Sequence, residues 1–163
     1  MSNQIADLLL RRLHSENVDD RRLALTELDE ILQYVPVAEL LRLLVDEDAA
    51  VRKLAVQALE ELGDPCAIPG VLGAVTDPDH EVSLTAKAAL REFRTEAAVA
   101  PLLEGVKNPN PEVRAACLIA FEIFEVRRHS RCSSTPRGIS PRQCDVKPSW
   151  RLLIYRNRTR SPC

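Results

Sequence analysis

The sequence predicts an all-α fold, an α-solenoid of about four helix–turn–helix repeats of 31 residues with a C-terminal tail that does not repeat. Three observations predict it. Equivalent residues recur every 31 positions, apolar side chains follow helical spacing between them, and aromatic residues form only 4% of the chain. A composition so poor in large rings suits thin, closely packed helices better than a thick β-sheet core.

Four sets of residues carry the 31-residue period. They are Asn17, Asp48, Asp79 and Asn110; Arg21, Arg52, Ser83 and Arg114; Ala24, Ala55, Ala86 and Cys117; and Leu28, Leu59, Leu90 and Phe121. We therefore expect repeats at about 1–33, 34–64, 65–95 and 96–126. A fixed period of this length is typical of units that bury their apolar faces only against their neighbours.

Each repeat is predicted to contain two helices. The first helices are expected at residues 4–13, 37–45, 66–75 and 97–106, and the second helices at residues 18–31, 49–62, 80–93 and 111–124. The pattern in 49–62 shows the reason, because its apolar residues recur at steps of three and four and so share one face. These are Val51, Leu54, Ala55, Ala58, Leu59 and Leu62.

The turn inside each repeat carries a helix-capping signal. Asn17, Asp48, Asp79 and Asn110 stand where an N-cap is needed, since their side-chain oxygens can accept from free amides of the second helix. Pro111 then suits the first helical position. The arginines four residues after three of the caps predict a ladder of guanidinium and carboxylate groups between repeats, in preference to a site for a bound anion: Arg21, Arg52 and Arg114.

The pattern D-P-D-x-x-V-[RS]-x-x-A-x-x-A-L resembles the HEAT repeat, and residues 48–59, 77–90 and 108–121 carry the resemblance. HEAT units usually span about 40 to 47 residues, and the shorter period here is similar to the subfamily named for phycobilin lyases. The resemblance implies a solenoid that binds proteins. For the subfamily it implies a lyase subunit that works with a second HEAT-repeat subunit and presents an open-chain tetrapyrrole to a phycobiliprotein. No short catalytic signature accompanies it.

Charge divides the chain at about residue 126. Residues 1–126 contain 12 basic and 23 acidic residues, a net charge of −11, whereas residues 127–163 contain 10 basic residues and one acid, a net charge of +9. An acidic body argues against a nucleic-acid groove along the repeats, because phosphate binding needs clustered positive charge. Residues 127–163 are rich in Arg, Ser, Pro and Cys, which is typical of disorder. They also resemble the product of a shifted reading frame.

The outward positions of the second helices predict where a partner binds. The face begins charged and becomes apolar toward the last repeat, whose second helix is apolar on nearly every side and therefore needs a cover. That cover could be a further repeat, a partner or a second copy of the chain. The predicted contact residues are Arg22, Lys53, Gln57, Leu84, Lys87, Ala88, Arg91, Ile119 and Ile123.

The sequence offers no recognisable catalytic or metal-binding motif. His14 and His80 are expected at the surface, and Cys66 and Cys117 in or near the core. The combination of His129, Cys132 and Cys144 does not match a zinc-binding spacing. We therefore expect no autonomous catalysis, no resident cofactor and no metal.

Three functions remain open from the sequence. The leading one is a scaffold or adaptor that binds another protein through the face of the second helices. One alternative is a bilin lyase subunit or phycobilisome-related chaperone, in which an open-chain tetrapyrrole is held by the only basic residues available there, Arg22, Lys53, Lys87 and Arg91. The other is nucleic-acid binding through the basic tail. No signal peptide or membrane span is visible in the sequence, so we expect a cytoplasmic protein.

Overall fold

The computed structural model describes residues 2–28, 31–93 and 95–132, with side chains at 8–28, 31–93 and 95–123. This part of the chain contains helices and turns but no strand, so the predicted all-α class is confirmed. Its α-helices, in chain order, are α1 (Ser2–Leu13), α2 (Val18–Thr26), α3 (Val37–Leu43), α4 (Ala49–Leu62), α5 (Ile68–Ala74), α6 (His80–Ala89), α7 (Val99–Gly105) and α8 (Pro111–Cys132).

The helices form the solenoid that the period predicts. Helix α1 packs on α2, α3 on α4 and α5 on α6, while α2, α4 and α6 also pack on one another in succession. The buried columns follow the sequence period. Ala24, Ala55, Ala86 and Cys117 have no exposed surface, and Leu28, Leu59, Leu90 and Phe121 are at most 2% exposed.

Capping explains where the second helices begin. The side chain of Asp48 accepts from the amide of Val51 at 2.9 Å, and that of Asp79 accepts from Glu81 and Val82 at 2.9 and 3.1 Å. Asn17 and Asn110 make equivalent bonds at 2.9 and 2.8 Å. The predicted caps are therefore confirmed, and Pro111 is the first residue of α8, where its missing amide hydrogen costs nothing.

Helix α3 begins at the predicted residue, whereas α5 and α7 each begin two residues after it. Short 3₁₀ turns at Leu32–Tyr34, Pro65–Ala67 and Glu96–Ala98 come before α3, α5 and α7. Before α5, Gly63 ends α4 in the left-handed conformation at φ 66°, which glycine adopts without strain. Asp64 then caps the 3₁₀ turn by accepting from the amide of Cys66 at 2.8 Å.

This turn also corrects one prediction. Cys66 is exposed and not in or near the core, because the turn that begins at Pro65 buries Ala67 in its place. Cys117 is buried as expected, and burial raises the pKa of its thiol to about 11.

Helix α8 extends past the end of the periodic sequence. The chain divides into two units, Met1–Glu125 and Val126–Cys163. Helix α8 continues to Cys132, because no helix-breaking Pro or Gly follows Pro111 before Pro136. Predictions about Cys144 and the rest of 133–163 lie outside the described residues, as do those about the side chains of His129 and Cys132. No helix in the described part of the chain is long and apolar enough to cross a bilayer.

Candidate protein-interaction surface

Arg52 connects two successive repeats. Its Nη1 donates to the backbone carbonyls of Asp46 and Glu47 at 2.8 and 3.2 Å, and thereby closes the turn of its own repeat. Its Nε and Nη2 donate to the two carboxylate oxygens of Asp77, both at 2.8 Å, in the following repeat. The hydrogen bond from Arg52 holds the pKa of Asp77 below its ordinary value. The side chains are 11% and 7% exposed, so water screens this pair only weakly.

Arg21 makes the same connection one repeat earlier. Its Nη1 donates to the carbonyls of Ser15 and Glu16 at 2.8 and 3.1 Å, and its Nη2 donates to Asp46 Oδ1 at 3.0 Å. The predicted ladder therefore exists at these two boundaries. Its carboxylates come from Asp46 and Asp77, two residues before the N-caps. Because Arg21 and Arg52 are both engaged, the structure gives no support to an anion site at these positions.

The ladder stops in the third repeat. Ser83 replaces the arginine there, and its hydroxyl donates to the carbonyl of Val75 at 2.6 Å in a buried position. The residue that would face an arginine at 83 is Asn108, which has no charge. In the last repeat Arg114 is again an arginine, and its Nη1 donates to the carbonyls of Asn108 and Pro109 at 2.9 and 2.7 Å.

A second row of ion pairs joins the repeats on the outward side of the second helices. Arg22 binds Asp48 through its Nη2 at 2.6 Å, and this bond holds the pKa of Asp48 below its ordinary value. Two lysines make similar bridges at 3.1 Å, Lys53 to Glu81 and Lys87 to Glu112. Three of the four basic residues that the sequence offered for a bilin are therefore engaged between repeats, while Arg91 is exposed.

Beside these ion pairs lies an apolar patch, formed by Leu84 and Ala88 of α6 and Ala115 and Ile119 of α8. All four residues are exposed, Leu84 by 48% and Ile119 by 40%. The bridge from Lys87 to Glu112 links α6 to the first turn of α8 beside the patch. Of the other predicted contact residues, Gln57 is exposed on α4 and Ile123 is half-buried on α8.

The patch has no apolar counterpart at the equivalent positions of the first two repeats. The equivalent positions in the first two repeats are Arg22, Thr26, Lys53 and Gln57. An apolar group of four at the same positions is a local feature of α6 and α8, and exposed apolar area of this kind is typical of interaction sites.

Comparison with known families agrees with this architecture. The family model for HEAT repeats matches residues 6–91, which is more than half of the chain. The chain belongs to the HEAT-repeat family. No curated protein matches it. HEAT repeats generally mediate protein–protein interactions, so the expected protein-binding role follows at this general level.

The structure adds one surface of this HEAT-repeat chain that sequence reasoning missed. A shallow open cleft of about 520 Å³ lies where the first residues of the second repeat approach its last residues, and it is lined by Tyr34, Val37, Leu62 and Asp64, among others. Tyr34 is 63% exposed. The only signal in the sequence was the presence of a tyrosine in a chain that has two.

Proposed function

We propose that this HEAT-repeat chain is a non-catalytic scaffold that binds a partner protein through the outward face of α4, α6 and α8. The apolar patch supports this proposal most directly. Leu84, Ala88 and Ile119 would form the centre of the contact, where apolar side chains leave water. Gln57 and Arg91 would form its polar rim.

The ion-paired residues have a different role in this proposal. Arg22, Lys53 and Lys87 bridge neighbouring repeats, and so hold the helices that present the patch. A partner can contact their exposed portions without breaking the bridges. Substitution of these residues is therefore expected to change the stability of the solenoid as well as its binding.

The bilin lyase alternative needs free cations for the propionates of the tetrapyrrole. The bridges made by Arg22, Lys53 and Lys87 already use those groups, which favours the scaffold over this alternative. Membership of the phycobilin-lyase subfamily, a phycobiliprotein partner and a second HEAT-repeat subunit stay proposals from the resemblance alone. Nucleic-acid binding through the tail concerns residues outside the described part of the chain.

The test compares three forms of the full chain as bait in a lysate of the source organism. These are the wild type, a double variant with Leu84→Asp and Ile119→Asp, and a control with Val45→Asp. Val45 is 84% exposed and lies in the turn after α3, so the control adds the same charged side chain at an apolar position outside the patch.

We expect the wild type and Val45→Asp to retain the same protein and the double variant to lose it. Circular dichroism checks that all three forms are equally helical. Equal capture by the double variant would contradict the proposal. A visible absorbance band in the retained material, together with a phycobiliprotein, would replace it with the bilin alternative.

A further inference from the structure

The contact between successive repeats uses equivalent positions. Leu41 of α3 and Leu44, directly after α3, face the next repeat, because a Cβ added to Gly70 of α5 would collide with their side chains. On α4, Arg52 reaches Asp77 across the same boundary. The second repeat therefore offers its successor two leucine side chains from the end of its first helix and a guanidinium from its second helix.

The last repeat offers a similar surface. The residues 62 positions after Leu41, Leu44 and Arg52 are Leu103 of α7, Val106 directly after α7, and Arg114 of α8. Together with Leu118 of α8, which is 62 positions after Val56, they form what we call the C-terminal face. Val106 is half-buried there, whereas its equivalents Leu13, Leu44 and Val75 are at most 8% exposed. Leu118 is half-buried too; its equivalents Leu25 and Val56 are 4% and 0% exposed, while the third equivalent, Lys87, is half-buried. Within the described residues, no further helix pair follows α8 to cover them.

Arg114 makes the same backbone hydrogen bonds as Arg52, but it has no carboxylate partner among the described residues. Both arginines use Nη1 to bind two carbonyls of their own turn. Arg52 then uses Nε and Nη2 on Asp77. For Arg114, the part of the chain that the structure describes supplies no carboxylate within ion-pair distance. Two of its donor groups therefore remain for an acceptor beyond these residues.

At the boundary between the third and fourth repeats, both the arginine and the aspartate of this ion pair are replaced. Where the arginine is replaced by Ser83, the aspartate of the next repeat is replaced by Asn108. An aspartate opposite a serine would be left without a charged partner, which makes this joint loss physically consistent. The last repeat again has an arginine at this position, Arg114, and no further repeat follows it within the described residues.

We propose that the C-terminal face binds a helix pair of a partner protein, stacked as a further repeat. The partner would present an apolar first helix and, two residues before the N-cap of its second helix, an aspartate that pairs with Arg114. This surface is separate from the apolar patch, and the inference does not depend on the proposed function. A second copy of this chain is a poor occupant, because its first repeat has Ser15 at the position of the required aspartate.

Substitution of Ser15 tests this proposal. Ser15→Asp gives the first turn the pattern Asp-Glu-Asn at 15–17, which matches Asp46, Glu47 and Asp48 in kind. The full chain with this substitution carries both the C-terminal face and a turn that fits it. Sedimentation equilibrium over a range of concentrations would compare the wild type, Ser15→Asp, and Ser15→Asp combined with Arg114→Gln. Circular dichroism on each form checks that helicity is unchanged.

We expect Ser15→Asp to associate at least about tenfold more tightly than the wild type, and Arg114→Gln to abolish this gain. The size follows from a charge-assisted pair worth about 1.5 kcal/mol or more. Equal sedimentation of all three forms would overturn the proposal, and so would a gain that survives Arg114→Gln. Tight self-association of the wild type that needs Arg114 would also overturn it, by making a second copy the occupant.

A second probe applies if Ser15→Asp lowers helicity. A fluorescent peptide of residues 64–93 carries Asp77 and the helices that fit the equivalent face of the second repeat. Anisotropy should show binding of this peptide to the wild-type chain, with about tenfold weaker binding to Arg114→Gln. An Asp77→Asn peptide should be equally weak on both. Two results count against the proposal: equal affinity for all combinations of peptide and chain, or no binding of the peptide at all.

Discussion

Arg52 and Asp77 meet through two hydrogen bonds of 2.8 Å across the boundary between the second and third repeats. The same guanidinium closes the turn of its own repeat through two backbone carbonyls. One side chain thus satisfies two carbonyls of the turn between α3 and α4 and also binds the next repeat. Because each repeat contacts only its neighbours, the strength of such a link determines how cooperatively the solenoid unfolds.

Substitution of Arg52 should therefore cost more stability than substitution of Arg114. Arg52→Gln loses the paired bonds to Asp77 and leaves that mostly buried carboxylate without its cation, for which we expect a loss of about 2–3 kcal/mol in the free energy of unfolding. Arg114→Gln loses only carbonyl contacts within the described residues, and about 1 kcal/mol is expected. Urea unfolding followed by circular dichroism measures both. Equal losses would show that the bonds to Asp77 add nothing.

The ion pair between Arg52 and Asp77 makes the free energy of unfolding depend on pH. The pKa of Asp77 in the folded chain lies below its ordinary value of 3.8, because Arg52 donates to the carboxylate. The folded state therefore binds this proton less readily than the unfolded state. The contribution of the ion pair to the free energy of unfolding is complete above pH 3.8. It is lost as the pH falls through the lower pKa that Asp77 has in the folded chain. The stability difference between wild type and Asp77→Asn should shrink over that acidic range, as measured by urea unfolding at each pH.

A constant difference down to the acid-unfolding limit would contradict this assignment. Glu61→Gln is a suitable control, because Glu61 is an exposed acidic residue on α4. Its substitution should leave the shape of the pH profile close to that of the wild type.

Two glycines predict opposite effects of the same substitution. At Gly105 of α7, a Cβ would collide with the sulfur of Cys117 and approach Leu72 to 2.9 Å, so Gly105→Ala should destabilise the chain by about 1–3 kcal/mol. At Gly73 of α5 a Cβ meets nothing within 4 Å. Gly73→Ala should therefore stabilise the chain by about 0.5–1 kcal/mol, because alanine loses less backbone freedom in a helix. Thermal and urea unfolding of both variants check the signs.

Much of this architecture could be predicted from the 31-residue period. The caps Asn17, Asp48, Asp79 and Asn110 were predictable because helix capping is local and depends on one side chain and the next few amides. The buried columns were predictable for the same reason, since helical spacing fixes which side chains share a face.

Relations between repeats were harder to predict. The acceptors Asp46 and Asp77 follow the same period, and so do Ser15 and Asn108, yet sequence alone does not show which carboxylate an arginine can reach. The bridges of Lys53 and Lys87 were missed because their partners lie about one repeat away in the chain. The exposure of Cys66 was missed because the prediction relied on how often free cysteines are buried. It did not consider the turn capped by Asp64, which orients the Cys66 side chain outward.

The two cysteines whose side chains the structure describes should differ in reactivity. Cys117 has no exposed surface and its thiol has a pKa raised to about 11 by burial, so it forms little thiolate and reagents cannot reach it. Cys66 is exposed, although hydrogen bonding to Asp64 raises its pKa as well. Under native conditions, iodoacetamide should therefore modify Cys66 well before Cys117, and in urea the two rates should converge. Peptide mass spectrometry locates each label separately from the remaining cysteines. Equal native rates would mean that α8 opens readily from α7, and would place its packing against Gly105 in doubt.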